Sequence, residues 1–248
     1  LPYNINNKTM KTSIKQVEAF EQLLGICKSQ GSTFNPSRDS MTIEALESLL
    51  QTAREKTQDV YTSYKSWVLA TNDRRDAFEA LRKTCTRVIN AASVSGMKPS
   101  LFEDIKQLNS RIQGRSAKVP LNPADEGGPP GNGKKPRGPI SHLDSASKIK
   151  SFSLLIGLLE THEDYAPNES SISIDALKES LEKLKALQSL VYTTFIAYEK
   201  AKDDCYTVIH REEGIYGMSR FIKRYMKSAF GPQSVAYHSI AKLKFITK

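Results

Sequence analysis

The chain has 248 residues, of which 39% are hydrophobic and 25% charged, enough for one large domain or two small ones and unlike a chain disordered throughout. Its three cysteines, Cys27, Cys85 and Cys205, are far apart and odd in number, which argues against a disulfide framework or a zinc site and favours a reducing compartment. The longest apolar run, 154–159, is too short to span a bilayer and no secretory segment is visible, so we expect a cytoplasmic protein without a transmembrane segment.

The net charge of +9 is unevenly distributed along the chain. Residues 1–113 carry +4 (16 basic, 12 acidic) and residues 141–210 carry −4 (7 basic, 11 acidic), so these two parts cancel. Residues 114–140 carry +3 (5 basic, 2 acidic) and residues 211–248 carry +6 (8 basic, 2 acidic). We therefore expect an anionic partner to bind one of these last two segments.

The chain is predicted to begin with a tail, residues 1–10, in which Met10 is a plausible true start. A first helix is predicted at about 12–30, where apolar residues recur at helical spacing. A loop containing proline then leads to Thr42, whose hydroxyl suits the N-cap of the next helix. Glu44 follows in the first turn, where the helix dipole favours an acid.

The second helix is predicted to be long because its apolar residues repeat every 3.5 positions. Alternate steps of three and four from Ile43 meet nine apolar residues in twelve positions: Ile43, Leu46, Leu50, Ala53, Thr57, Val60, Tyr64, Trp67, Thr71, Arg74, Phe78 and Leu81. Such a repeat is typical of helices packed side by side at about 20°. We expect a break near Thr84 and then short helices at about 85–95 and 99–112, the second beginning at Pro99, a position that needs no amide donor.

Residues 114–140 are predicted to be a linker, since they hold six of the eleven prolines and six of the thirteen glycines. The sequence from Gly128 to Lys135 superficially resembles a phosphate-binding loop. That motif needs Ser or Thr where Lys135 stands, backbone amides where two prolines stand, and a preceding strand. We therefore reject a phosphate-binding loop here.

The part of the chain after the linker repeats the part before it, at an offset of 131 to 133 residues. The matching pairs include Phe20 with Phe152, Phe34 with Tyr165, Met41 with Ile172, Val60 with Val191, Arg87 with Arg220, and Lys98 with Gly231. Six matches in order indicate an internal duplication with copies at 11–113 and 141–248. No segment alternates convincingly as a strand.

The second copy is predicted to have the same helices as the first. They are a helix at about 144–161, a long helix from Ile174 to Ile209 that Ser173 caps and Asp175 supports, and short helices at about 218–229 and 232–245. Nine of eleven stepped positions in the long helix are apolar. Gly214 and Gly217 are expected to end it, and Pro232 to begin the last helix.

The helix at 218–229 carries a basic stripe, with Arg220, Lys223, Arg224 and Lys227 at i, i+3, i+4 and i+7, and Lys242 and Lys244 follow it. Such a face can neutralise the phosphates of a nucleic acid, or it can lie on an anionic membrane. The alternative is a solvated cationic surface whose apolar side packs on the long helices. The first copy keeps only Arg87 of the stripe, so the motif folds without it.

The residue types needed for catalysis do not converge in the sequence. The four histidines are isolated and never share a helical face, which argues against a metal site. Cys27 aligns with Leu159 and Cys85 with Met218, so we interpret these thiols as small buried hydrophobic groups. We therefore expect no catalytic residue, no metal, no cofactor and no small-molecule substrate.

Residues 11–31, KTSIKQVEAFEQLLGICKSQG, resemble the opening of a family of uncharacterised bacterial proteins found among Bacteroidota. The segment from Lys227 to Phe245 is similar to the C-terminal end of that family. The resemblance spans nearly the whole chain from Met10 and implies a bacterial, non-secreted protein that starts there. No established activity of that family is known to us, so the resemblance implies no catalytic residue and no ligand.

Together these observations predict an all-α protein, an elongated helical bundle made of two pseudo-repeats whose long heptad-patterned helices pack together antiparallel. The predicted function is non-enzymatic, a structural or protein-interaction role with a protein partner or self-association, because long amphipathic surfaces suit partner helices. The alternative is binding to a nucleic acid or ribonucleoprotein through the basic C-terminal helix.

Overall fold

A computed structural model describes residues 7–114 and 141–246. Within these ranges the chain forms α-helices and short 3₁₀ turns and contains no strand, which confirms the all-α prediction. The helices are α1 (Asn7–Ser29), α2 (Ile43–Ser93), α3 (Pro99–Ile112), α4 (Ser141–Glu160), α5 (Ile174–His210), α6 (Ile215–Phe230) and α7 (Val235–Ala241). Apart from Gly114, the predicted linker lies outside the described residues, and so does the rejected phosphate-binding loop.

The fold consists of two compact units that do not coincide with the two sequence copies. Among the described residues, unit 1 combines residues 7–68 with residues 193–246, and unit 2 comprises residues 69–114 and 141–192. Unit 1 therefore contains α1, the first part of α2, the last part of α5, α6 and α7. Unit 2 contains the rest of α2, α3, α4 and the first part of α5. The duplication stays a prediction from the sequence.

In unit 1, α2 and α5 run antiparallel. The ring centres of Trp67 and Phe195 lie 5.5 Å apart, and those of Tyr64 and Tyr198 lie 5.7 Å apart. The Cys205 thiol lies 3.9 Å from the Thr57 hydroxyl. Residue numbers fall along one helix as they rise along the other. The other helices of the unit complete a core whose fully buried members include Phe20, Leu23, Leu46, Ile209, Ile215, Ile222, Met226 and Ile240.

In unit 2, the core is formed by the later part of α2, the early part of α5, and the pair α3 and α4. Its fully buried side chains include Val88, Ile105, Ile112, Phe152, Leu155, Leu159 and Leu177. Arg74 of α2 is only 7% exposed and donates a hydrogen bond of 3.1 Å to the side-chain oxygen of Gln188 on α5. Burial lowers the pKa of the Arg74 guanidinium.

The stepped positions predicted on the long helices can be placed by their burial. All twelve positions from Ile43 to Leu81 are buried or half-buried. On α5, Phe195 is the exposed member of the corresponding series. That the stepped positions of α2 and α5 form a heptad seam between two duplicated halves stays a prediction.

Both predicted N-caps are confirmed. The Thr42 hydroxyl accepts a 3.3 Å hydrogen bond from the Ala45 amide, and the Ser173 hydroxyl accepts one of 3.3 Å from the Ala176 amide. Glu44 and Asp175 lie in the first turns that follow. Pro99 is the first residue of α3, as predicted.

Some predicted helix boundaries are wrong. The break near Thr84 is absent because α2 continues to Ser93, with Cys85, Val88 and Ala92 extending its buried side and no glycine or proline to interrupt it. The last helix begins at Val235 rather than Pro232. The Ser234 hydroxyl accepts a hydrogen bond from the Tyr237 amide and so caps the helix at that point. It ends at Ala241, short of the predicted residue 245, and α6 begins at 215 rather than 218.

The N-terminal boundary also differs, since α1 begins at Asn7, inside the predicted tail of residues 1–10. Across the described ranges, no helix has both the length and the apolar character needed to cross a membrane.

Candidate nucleic-acid interface

Helix α6 in unit 1 has two chemically distinct sides. Its buried side chains, Ile215, Met218, Ile222 and Met226, pack into the core of unit 1. Arg220, Arg224 and Lys227 lie at i, i+4 and i+7 and are exposed, so they share one side of the helix. We call these three residues the α6 cationic face.

The close approach of the start of α6 to the end of α5 involves two glycines, Gly214 just before α6 and Gly217 in its first turn. A Cβ atom on Gly217 would overlap the backbone of Glu212, and one on Gly214 would overlap the backbone of Val208. These overlaps are with backbone atoms, which yield less readily than the end of a flexible side chain. The close approach therefore requires glycine at both positions.

The α6 cationic face has no acidic partner among the described residues. Some other cations are paired across helices, as in Lys28 with Glu47, Arg54 with Glu21, and Lys178 with Glu160. No ion pair joins Arg220, Arg224 or Lys227 to a carboxylate in the part of the chain that the structure describes. The guanidinium carbon of Arg220 lies 5.7 Å from the ring centre of Tyr216, one turn earlier. The positive charge of this face is therefore available to a ligand.

Lys223 does not belong to the exposed face, although the sequence places it in the same stripe. Its ammonium group donates a 2.6 Å hydrogen bond to the Leu243 carbonyl and lies 5.3 Å from the ring centre of Phe245. Partial burial lowers the pKa of the Lys223 ammonium group. Lys223 therefore anchors the segment after α7 instead of facing a ligand.

The segment anchored by Lys223 carries the remaining predicted cations. Lys242 and Lys244 flank Leu243 and are both exposed. The side-chain amide of Gln16 on α1 donates a 2.5 Å hydrogen bond to the carbonyl of Ile246, which holds the same segment from the other side. Two of the six predicted binding residues are thus brought to α6 through its contact with the C-terminal segment.

A cleft of about 370 Å³ opens beside the arginines, between the end of α5 and α6. We call it the α5–α6 cleft. Two arginines, a histidine, a glutamate, two aromatic rings and a glycine line it: His210, Glu212, Tyr216, Gly217, Arg220, Phe221 and Arg224. The arrangement combines hydrogen-bond donors for an anion, flat rings for stacking and one carboxylate acceptor.

Sequence reasoning missed the cleft and one neighbouring cation. The guanidinium carbon of Arg38, in the loop before α2, lies 4.7 Å from the ring centre of Phe221. Tyr225 strengthens the same junction, since its hydroxyl accepts a 2.9 Å hydrogen bond from the amide of Asn35. No local sequence pattern predicts these contacts, because the partners are more than 180 residues apart in the chain.

The three cysteines are buried and free of disulfides. Burial raises the pKa values of Cys27 and Cys85 to about 12, and burial also raises the pKa of Cys205. Thiols with raised pKa values stay protonated and are poor nucleophiles. Across residues 7–114 and 141–246, no three His, Cys, Asp or Glu side chains come together in a way that could hold a metal ion.

Comparisons with protein-family models, with curated proteins and with solved structures give no match to this chain. The resemblance to Bacteroidota proteins stays a prediction.

Proposed function

We propose that this protein is a non-enzymatic binding protein that holds a single-stranded nucleic acid on the α6 cationic face. The observation that carries the proposal is the set of three exposed cations on one side of α6 without an acidic partner among the described residues. Lysine and arginine side chains in such a row neutralise successive phosphates of a nucleic acid backbone.

The aromatic rings beside the arginines favour a nucleic acid over an anionic membrane. Tyr216 and Phe221 line the cleft next to Arg220, and single strands are bound by cationic grooves combined with rings on which bases stack. A helix that lies on a membrane needs an apolar side to insert. On α6 that side is used by the core, since Ile222 and Met226 are fully buried.

The proposal predicts a binding constant that falls steeply with salt. Fluorescence polarisation of a labelled single-stranded RNA or DNA, measured over a salt series, gives the slope of log K against log salt. Changing Arg220, Arg224 and Lys227 together to Glu should lower the affinity at least about tenfold and reduce that slope by roughly 2. Circular dichroism should be unchanged, because all three side chains are exposed.

A matched control lies in unit 2. Lys83, Arg87 and Lys183 are exposed, and no ion pair engages them within the described ranges. Changing these three to Glu alters the net charge by the same amount and should leave affinity within about twofold of the unchanged protein. Equal losses of affinity in the two triple variants would show that net charge alone accounts for the binding. Absence of binding by the unchanged protein would refute the proposal.

A second candidate is the structural or protein-interaction role with self-association, which exposed apolar side chains in unit 1 favour. Ile196 and Tyr206 of α5 are 49% and 50% exposed, and Tyr61 of α2 is 52% exposed. Large apolar side chains on a surface are typical of interfaces. Light scattering after size exclusion should then show a dimer that Ile196→Lys and Tyr206→Lys convert to a monomer, whereas a concentration-independent monomer would exclude this role.

A further inference from the structure

We infer that the α5–α6 cleft binds one nucleotide that carries a terminal phosphate, either free or at the end of a single strand. For the strand end, this inference rests on the nucleic-acid binding proposed above. It adds a defined subsite for a terminal phosphate to the face that is proposed to bind the strand.

The phosphate-binding part of the cleft is formed by arginines one turn apart. Arg220 and Arg224 both line the cleft and sit at i and i+4 on α6, so their guanidinium groups project from the same side of the helix. A guanidinium group donates two parallel hydrogen bonds to phosphate oxygens. A terminal phosphate monoester carries about −1.5 to −2 at neutral pH, more than an internal phosphodiester, and two adjacent arginines match that charge.

The rest of the lining is suited to a base and a sugar rather than to a bare anion. Tyr216 and Phe221 present aromatic rings to the cleft, and aromatic rings stack with any nucleobase. Glu212 contributes a carboxylate, which repels an isolated phosphate but accepts hydrogen bonds from sugar hydroxyls or base amino groups. His210 also lines the cleft.

The size of the cleft limits the ligand to one nucleotide. Its volume of about 370 Å³ is near the lower end of the range for sites that enclose small ligands. Arg38 covers one side of the Phe221 ring at 4.7 Å, so the ring is held in place at the edge of the cleft. A single unpaired nucleotide matches a site of this size.

The test compares ligands that differ only in the phosphate. Isothermal titration of the full chain with adenosine monophosphate, adenosine and inorganic phosphate separates the nucleotide from its parts. The same oligonucleotide with a 5′-phosphate, a 3′-phosphate or no terminal phosphate then distinguishes a strand end from a free nucleotide. We expect the monophosphate and one of the phosphorylated strands to bind at least about fivefold tighter than their unphosphorylated counterparts.

Two variants locate the effect on α6. The double variant Arg220→Gln, Arg224→Gln should lose the preference for the terminal phosphate. Lys227→Gln, on the same face but outside the cleft lining, should weaken all three strands equally and keep the preference. Both variants change exposed side chains only, and circular dichroism checks that they fold.

The outcomes separate this inference from the proposed function. If strands bind regardless of their terminal phosphate and the monophosphate binds no better than adenosine, the cleft inference is overturned while the nucleic-acid binding stands. If inorganic phosphate binds as well as the monophosphate, the cleft is a simple anion site and the inference is again overturned. If the monophosphate binds through the two arginines but no strand binds, the inference holds for free nucleotides and the proposed function fails.

Discussion

At the scale of single residues, Gly217 is the position where an added methyl group has no space. Its Cβ would overlap the backbone of Glu212, and backbone yields less readily than a flexible side chain. Gly217→Ala should therefore lower the free energy of unfolding by about 1–3 kcal/mol or more. Urea denaturation followed by circular dichroism measures this change.

Gly25 provides the control for Gly217. It lies in α1, is exposed, and a Cβ there would meet no atom within 4 Å. Gly25→Ala should raise the free energy of unfolding by about 0.5–1 kcal/mol, since alanine loses less backbone entropy than glycine in a helix. Equal stability of Gly217→Ala and the unchanged protein would contradict the close approach of Gly217 to the Glu212 backbone.

The buried thiols predict a loss of stability in alkali. Cys27 lies in the core of unit 1 and Cys85 in that of unit 2, and both have pKa values of about 12 against an ordinary 9.0. Below pH 9.0 both thiols are protonated whether the chain is folded or not, so their contribution is fully present. Above that pH the unfolded chain loses these protons first, and the free energy of unfolding should fall by up to about 1.4 kcal/mol per pH unit for each thiol.

Urea midpoints measured from about pH 8 to about pH 11 give this slope. Burial raises the pKa of Tyr165 to about 12 as well, so the decline is shared with that residue. Cys85→Ala isolates the contribution of one thiol, because it should make the decline with pH less steep, by up to about 1.4 kcal/mol per pH unit, even though it lowers stability at neutral pH. An identical slope in the variant and the unchanged protein would show that Cys85 does not contribute.

At the scale of helices, two capping hydroxyls and one proline predicted helix starts correctly, whereas Pro232 predicted a helix that begins three residues later. Thr42, Ser173 and Pro99 mark helix starts correctly, and Gly214 lies in the turn between α5 and α6, whereas Gly217 lies inside α6. The end of α2 was missed because nothing near Thr84 breaks a helix and packing on α3 and α4 extends it.

The candidate site was only partly predictable, because some of its contacts join segments that are distant in sequence. Helical spacing alone brings Arg220, Arg224 and Lys227 to one face. The role of Lys223 and the position of Arg38 depend on contacts with segments distant in sequence, Leu243 and Phe221 respectively. Spacing along one helix carries no information about such partners.

The pairing of α2 with α5 in unit 2 predicts non-additive substitutions at Arg74 and Gln188. Gln188→Leu should cost roughly 1–3 kcal/mol, because it removes an acceptor from a buried guanidinium group. The double change to Leu at both positions should be within about 1 kcal/mol of the unchanged protein, since no unpaired charge remains. A double-mutant cycle from urea unfolding measures the coupling, and simple additivity would show that the hydrogen bond contributes nothing.

At the scale of the whole molecule, each compact unit needs chain from both sides of the linker. The core of unit 1 joins Phe20 and Leu46 to Ile209 and Ile222, and the core of unit 2 joins Ile105 to Phe152. Neither sequence copy contains a complete core. The two halves of the chain are therefore expected to fold together.

A fragment of residues 7–113 tests this dependence. It keeps α1, α2 and α3 but lacks the residues that cover Phe20, Leu46 and Ile105. We expect it to be poorly helical or to associate, and to recover a monodisperse helical form when mixed with residues 141–248. Circular dichroism and light scattering measure both properties. A fragment that folds cooperatively as a monomer would contradict the interleaved cores.

Trp67 makes one of these units directly visible to spectroscopy. It is the single tryptophan of the chain, and its neighbours Tyr64, Phe195 and Tyr198 all belong to unit 1, with the indole stacked on Tyr198 at an interplanar angle of 7°. Indole emission from the unlabelled protein consequently reports on the surroundings of this aromatic cluster. A shift of that emission at a temperature where the helical signal is intact would identify local loosening around this aromatic cluster, without any introduced dye.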